Sequence, residues 1–264
     1  MKINIFFFIS NFGLGGAGNA ILNFLNKLNK KKYNIHMIYL GKSVYKKYFP
    51  NYVKVIQIDN SFFFFKTFFS FFKIKKIISE KVKYNKNNLF ISNIHYSNIL
   101  TIIFLRNLNN LKIFLFERTS LKELDIYFSI FSFIKNKFIK ILIKNFYKYS
   151  DCIYSNSLTS KKEFDKIGLK SKVIYSGSVT KKLPKKKFKN KKFYKLISVG
   201  RLTRQKNYEL LINSISQVKF KNYKLYIYGE GEEKEKIKKT ILNHKLEKKI
   251  HLVPYVKNKN KIYK

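Results

Sequence analysis

The stretch that most constrains the fold is Ile197-Ser198-Val199-Gly200-Arg201-Leu202-Thr203-Arg204-Gln205-Lys206-Asn207. A short apolar run of strand length ends at Gly200. A polar loop carrying Arg201 and Lys206 follows. Tyr208, Leu211, Ile212 and Ile215 then recur at the i, i+3, i+4, i+7 spacing of a helix face. A strand that feeds a helix through a glycine-ended loop belongs to a parallel α/β sheet, and such loops at strand carboxyl ends bind anions. A planar guanidinium and a compact ammonium on one loop suit a diphosphate. The loop lacks the G-x-x-x-x-G-K-[ST] string of a Walker loop.

The same unit recurs along the chain. Ile3–Ile9 is an apolar run of buried-strand character. It is followed by residues 11–18, which hold four of the ten glycines, Gly15 and Gly16 among them. Ile21, Leu22, Leu25 and Leu28 then form a helical stripe. Further strands are expected at Ile35–Leu40, Leu89–Ser92, Ile113–Phe116, Cys152–Tyr154, Val173–Tyr175, Lys224–Tyr228 and Ile250–Val253. Ser155-Asn156-Ser157 supplies capping residues for a helix. Alternation of strands and helices predicts doubly wound parallel sheets. The lysine-rich run 184–192 reads as a linker between an N-terminal Rossmann-like domain, 1–183, and a second, incomplete one, 193–264.

Residues with chemistry gather at the expected strand ends. His95 follows the Leu89–Ser92 strand, where it would orient a substrate or serve as a hydrogen-bonded structural group; both readings stand. Glu117-Arg118 follows Ile113–Phe116, Gly229-Glu230-Gly231 follows Lys224–Tyr228, and Tyr255-Val256 follows Ile250–Val253. His36 reads as an ordinary strand residue.

Composition bears on how these residues are weighed. Lys and Arg total 56 against 14 acids, a net charge of 56 − 14 = +42, yet Arg occurs only at 106, 118, 201 and 204. Trp is absent and Ala occurs only at 17 and 20, which we read as coding bias toward AT-rich codons. An Arg kept under such bias hints at a geometric need. The charge invites a nucleic-acid or anionic-membrane reading. Its spread along the whole chain equally fits a lysine-coated globular protein, and no zinc-finger spacing or RNP1-type string is present. A lone Cys152 excludes an intramolecular disulfide and fits a reducing compartment. No secretory leader and no membrane-spanning run are expected. Two segments, Phe62–Lys81 and Tyr127–Tyr149, mix aromatic and aliphatic residues with lysines. Each is either a core-packing helix with a solvated lysine face or a basic amphipathic surface for anionic lipid.

Taken in order, Gly15-Gly16-Ala17, Glu117-Arg118, Ser155-Asn156-Ser157, Val199-Gly200-Arg201-Leu202 with Gln205-Lys206-Asn207, Gly229-Glu230-Gly231, and Tyr255-Val256 through Asn258 resemble the motif series of GT4-type retaining glycosyltransferases of the GT-B fold. The resemblance implies an α/β chain of two Rossmann-like domains. It implies transfer of a sugar from a nucleotide-sugar donor, UDP-linked by first expectation, to an envelope glycan or lipid-linked acceptor with retention of configuration. Residues matching Arg201 and Lys206 neutralise the donor diphosphate as the leaving group gains charge. Gly15 and Gly16 face donor phosphates and acceptor. His95 matches the active-site histidine, and the Gly229–Gly231 loop lies toward the nucleoside. Glu117, Arg118, Gly200, Tyr255 and Val256 complete the expected substrate-binding set. No metal or other cofactor is expected, nor a nucleic-acid partner, and the enzyme would work in the cytoplasm, at the inner face of the membrane. The family's donor-holding glutamate pair is expected beyond Lys264, so the resemblance implies a C-terminally truncated chain with little activity. Two alternatives remain: a charge-driven nucleic-acid-binding protein, and a non-catalytic membrane-surface module derived from a transferase.

Overall fold

Apolar runs in a parallel sheet are covered on both faces, so they read as continuous rather than alternating hydrophobic strings. β1 (Ile3–Ile9) shows this: its last six residues are all buried. In the computed structural model the described residues are 2–10, 12, 16–41, 48–58, 65–127, 129–175, 193–219, 222–254 and 256. After β1 come α1 (Gly16–Leu25), β2 (Tyr33–Leu40), β3 (Val53–Ile58), α2 (Lys66–Val82), β4 (Asn88–Asn93), α3 (His95–Leu105) and β5 (Leu111–Glu117). Then follow α4 (Ile130–Phe146), β6 (Cys152–Ser155), α5 (Leu158–Lys166) and β7 (Ser171–Val173). The seven strands form one parallel sheet in the order β3-β2-β1-β4-β5-β6-β7. The chain winds outward from β1 to β3, then returns to β4 and winds the other way. The β1/β4 boundary is therefore the topological switch point, the place where open α/β sheets open a crevice at their carboxyl ends.

Two cores flank this sheet. On one face Phe8, Phe71, Ile74, Phe90, Ile102 and Leu115 join α2, α3 and α4 to the strands. On the other, Ile5, Phe7, Ile21, Leu25 and Met37 join α1. His36 on β2 is buried and stacks on Phe6 at 4.8 Å between ring centroids. Burial, with Lys81 and Lys54 adding, pulls its pKa down to about 4, so it stays neutral as an ordinary strand residue would.

The second sheet is built from β8 (Tyr194–Val199), β9 (Tyr223–Tyr228) and β10 (Ile250–Val253), parallel in the order β10-β9-β8. It is covered by α6 (Tyr208–Ser216) and α7 (Lys234–Asn243) through Leu202, Tyr208, Ile212, Leu225, Ile227 and Ile237. The chain divides into two compact units, 1–182 and 183–264. The proposed linker, 184–192, lies outside the described residues.

Three elements differ from the sequence reading. The final strand of the first unit is Ser171–Val173, not Val173–Tyr175. Its pairing is set two residues earlier, where Ser171 Oγ meets Ser155 Oγ at 2.9 Å. β3 has no sequence signal of a buried strand because it is the sheet edge, with only Val53 and Ile58 buried. α3 shows no helical period because it is buried almost all round, polar Ser97, Asn98 and Thr101 included. The Phe62–Lys81 helix is Lys66–Val82 in its described part, and Phe62–Phe64 lie outside the described residues.

Candidate active site

The carboxyl ends of β4 and β5 hold a buried polar cluster. Ile94, between β4 and α3, has φ 77 and ψ 141, a conformation a β-branched residue adopts only when its surroundings enforce it. Its N–H donates to Phe116 O at 3.1 Å. The turn it makes sets His95 as the first residue of α3. There His95 Nδ1 lies 2.6 Å from Glu117 Oε2, the last residue of β5. Glu117 is 1% exposed. Its other oxygen accepts from Asn98 Nδ2 at 2.7 Å and from the Tyr147 hydroxyl. His95 Nε2 meets Thr119 Oγ1 at 2.9 Å.

Electrostatics follow from that geometry. Burial pulls the His95 pKa down, but the Glu117 charge and hydrogen bond, with Glu123 adding, outweigh it and leave the pKa raised. Burial and the Glu117 carboxylate both hold the Tyr147 phenol well above its ordinary value, so it is a donor at any working pH. Glu117 fixes one ring nitrogen of His95 as the donor, which is how a second group orients a catalytic imidazole. The other nitrogen is directed at Thr119.

Arg118 is held by separate contacts. Its Nε donates to Asn93 Oδ1 at 3.0 Å, and Asn93 Nδ2 donates to Phe8 O at 3.0 Å, tying β4 to β1 at the switch point. Asn156 Nδ2 donates to Arg118 O at 2.7 Å. Burial lowers the Arg118 pKa to about 10, so the guanidinium keeps its charge. Gly16 is exposed at the start of α1, and a Cβ there would meet nothing within 4 Å. Its glycine identity thus has no packing cause. Gly15 lies outside the described residues.

In the second unit, Val199, Tyr228 and Val253 sit side by side, so the three strands end level. Gly200 N donates to Tyr228 O at 3.0 Å, Leu202 N to Glu230 O at 2.9 Å, and Gly229 N to Val253 O at 3.0 Å. A Cβ on Gly229 would lie 1.9 Å from Gly200 O, and one on Gly231 2.2 Å from Leu202 O. The Gly229–Gly231 loop therefore presses backbone to backbone on the Gly200–Leu202 loop, and this contact requires both glycines. Asn207 adopts a left-handed conformation (φ 48), and its side chain accepts from Leu210 N to cap α6. Arg201 and Lys206 flank this clamp and are exposed; neither forms an ion pair among the described residues. Glu230 is exposed and pairs with Lys234 at 3.1 Å. Val256 is half-buried, and Tyr255 lies outside the described residues.

The structure thus brings His95 together with Glu117 and places Arg118 beside them. It brings Arg201, Lys206 and Gly200 together with Gly229 and Glu230. Asn93, Asn98, Thr119 and Tyr147 escaped the sequence reading. Asn98 lies one helical turn after His95, a spacing that puts both on one face once α3 is known. Among the described residues, no group of three or more His, Cys, Asp or Glu side chains is placed to hold a metal ion. No described helix is long and apolar enough to cross a membrane.

Residues 179–264 match the family model described as glycosyl transferases group 1. An uncharacterized glycosyltransferase of Methanocaldococcus jannaschii is 31% identical over 217 residues, 73% of this chain and 50% of that protein. The chain spans about half the length of that curated relative. Among solved structures, the apo form of the lipopolysaccharide outer core galactosyltransferase WaaB aligns with 99% of this chain and 70% of its own, at TM-score 0.70 and 17% identity. Anabaena HepE in complex with UDP and glucose aligns with 97% of this chain and 70% of its own, at TM-score 0.71 and 14% identity. The chain carries a glycosyl transferases group 1 domain on a GT-B-type α/β fold.

Proposed function

We propose that the protein transfers a sugar from a nucleotide-sugar donor, UDP-linked, to a glycan or lipid-linked acceptor, with retention of configuration in the GT4 manner. The observation that carries this reading is the loop after β8. Among the described residues, Arg201 and Lys206 stand exposed and without ion-pair partners, on and just after a loop fixed by the Gly229 and Gly231 backbone contacts. In the transfer, the bond between the anomeric carbon and the diphosphate oxygen breaks and its electrons pass to the diphosphate, while the acceptor hydroxyl oxygen bonds to the same face of that carbon and its proton passes to the departing diphosphate. Two cations beside that bond stabilise the charge as it forms. Arg offers a forked donor pair and Lys a point charge, which together suit two adjacent phosphates. His95, oriented by Glu117, acts near the transferred sugar. Arg118, still charged in its buried seat, offers a second anion contact in the first unit. The HepE structure holds UDP and glucose, which supports the donor class. The setting is envelope polysaccharide synthesis at the cytoplasmic side of a membrane, without a metal.

The test is nucleotide binding by calorimetry at physiological salt. UDP is expected to bind and uridine to bind at least about tenfold more weakly, since charge-assisted hydrogen bonds contribute about 1.5–3 kcal/mol each. Arg201→Ala and Lys206→Ala remove most of that difference, whereas Lys219→Ala, far along the surface after α6, leaves it. Equal affinity for UDP and uridine, or equal loss in all three variants, refutes the assignment. Affinity for any polyanion with a steep salt slope would point to charge-driven nucleic-acid binding instead.

A further inference from the structure

A separate cleft lies at the other end of the first sheet from the His95 cluster. That cluster sits at the carboxyl ends of β4 and β5, whereas this cleft sits at the amino ends of β6 and β7. Its wall is drawn from residues 147–153, which lead into β6, and 168–172, which lead from α5 into β7. Its volume is about 370 Å³, within the range of small-molecule sites. Ile153 and Leu169, both buried, make part of the wall apolar. Lys148, Lys170 and Lys172 also line it and are exposed. Residues two apart on an extended chain share a face, so Lys170 and Lys172 lie on one side of the edge strand β7. Ser171 between them turns inward to Ser155.

Among the described residues no carboxylate pairs with any of these three lysines. Lys148 rests over the Tyr149 ring at 5.2 Å. The one acid in the wall, Asp151, is engaged with the sheet: its Oδ2 accepts from Ile113 N at 2.7 Å. Three ammonium groups around a partly apolar cleft suit a dianion on a carbon body, and lysine binds phosphate as a point charge. The two walls also connect to His95. Tyr147 lines the cleft, and its hydroxyl donates to Glu117, the partner of His95. Its ring stacks on Phe164 of α5 at 6.1 Å between centroids, and Phe164 O accepts from Leu169 N at 3.0 Å. Tyr147 is thus tied to both walls. A ligand bridging Lys148 to Lys170 and Lys172 favours one spacing of those walls, and it shifts Tyr147 by as much as it prefers that spacing.

We propose that this cleft is an effector site for a small, soluble phosphate monoester. The phosphate rests on Lys148, Lys170 and Lys172, and the carbon body lies against Ile153 and Leu169. Occupancy is relayed to His95 through Tyr147 and Glu117. The inference does not depend on sugar transfer and is tested without any donor.

The chain carries its own reporter, since its one cysteine, Cys152, is half-buried in the wall of the cleft. The test follows alkylation of Cys152 in the whole chain by iodoacetamide, a neutral reagent, with glucose 6-phosphate as the ligand. Salt is held at about 0.15 M, where exposed charges more than about 8 Å apart are largely screened. Only the empty cleft reacts, so ligand at about ten times its Kd should slow alkylation about tenfold. Glucose should not protect, and inorganic phosphate, which has the charge without the body, should protect far less. Lys170→Ala with Lys172→Ala should abolish protection, whereas Arg201→Ala, on the second unit, should leave it intact. The His95 imidazole signal, assigned by its loss in His95→Gln, should shift with the same concentration dependence in the parent. In Tyr147→Phe that shift should be lost while protection remains. Four results would overturn the proposal: no protection; equal protection by inorganic phosphate, which reads as bulk lysine charge; protection that survives the double lysine variant or is lost in Arg201→Ala; or a His95 signal that stays fixed in the parent or still shifts in Tyr147→Phe.

Discussion

Replacing Glu117 with Gln isolates what the buried carboxylate does for His95. Gln has the same shape, and its carbonyl oxygen can still accept from Asn98 Nδ2 and the Tyr147 hydroxyl. That choice forces the amide NH2 toward His95 Nδ1, where the carboxylate stood at 2.6 Å. The imidazole must then accept at Nδ1 and carry its proton at Nε2, so the tautomer reverses. Protonation of His95 is now opposed by burial without the Glu117 charge, and its pKa, raised in the parent, should fall below 6.5. Charges about 4 Å apart at an effective dielectric constant near 20 attract by about 4 kcal/mol. Breaking a buried pair from one side costs about 3–5 kcal/mol. The two retained hydrogen bonds at Oε1 place the expected loss at the lower end, about 3 kcal/mol. That is a large share of the roughly 5–15 kcal/mol that holds a domain folded. The assays are urea unfolding near pH 6 and nitrogen NMR of the imidazole, which separates the tautomers. A variant within about 0.5 kcal/mol of the parent, the scatter of ordinary surface changes, with an unchanged His95 titration, would refute the reasoning.

Gly229→Ala should open the second unit. Its Cβ would stand 1.9 Å from Gly200 O, so the two loops must part by more than an ångström and lose the Gly200–Tyr228 hydrogen bond. Overpacking and that bond together cost about 2–4 kcal/mol, read as faster amide exchange in β8. Gly16→Ala is the contrast: nothing lies within 4 Å, so melting should be unchanged, and any loss of UDP affinity would report ligand approach. The histidines predict a stability maximum near pH 6.5. His36, with its folded pKa near 4, contributes stability above 6.5 that is lost as pH falls from 6.5 toward 4. His95, with a raised folded pKa, contributes stability fully present below 6.5 that is lost as pH rises through its folded value. Urea midpoints across pH should flatten on the acid side in His36→Leu and on the alkaline side in His95→Gln; unchanged curves would sink both assignments.

What the sequence made legible depended on where each feature's cause lies. β1, β8 and β10 were readable because burial on both faces or abrupt polar boundaries marked their ends. The stripe at Tyr208, Leu211, Ile212 and Ile215 was readable because α6 has one buried side. α3 was not, since burial all round erases the helical period. β3 was not, because an edge strand carries polar residues. The Tyr127–Tyr149 segment was read as amphipathic, but its composition alone could not show which of its residues face the core. That needed the positions of Asn136 and Ile143.

The two candidate clusters, one in each unit, differ in kind, and this difference governs how each can change. In the second unit the loop geometry is made by backbone contact, so its requirements are absolute and local: glycine at 229 and 231, whatever surrounds them. In the first unit the geometry is made by side chains drawn from four places: His95 and Asn98 on α3, Glu117 at the end of β5, Thr119 just after it, and Tyr147 beyond α4. No single one of them is dictated by space. Each is dictated by the others, because a buried carboxylate without its donors is costly. Substitutions at Asn98 and Tyr147 should therefore be non-additive with Glu117→Gln: each costs more in the parent, where it leaves a buried carboxylate short of a donor, than in the Gln variant, where it removes a hydrogen bond to an uncharged amide. The same coupling explains why the strained backbone at Ile94 persists. Its position is over-determined by the Phe116 hydrogen bond on one side and the His95–Glu117 pair on the other, so releasing the strain would break both.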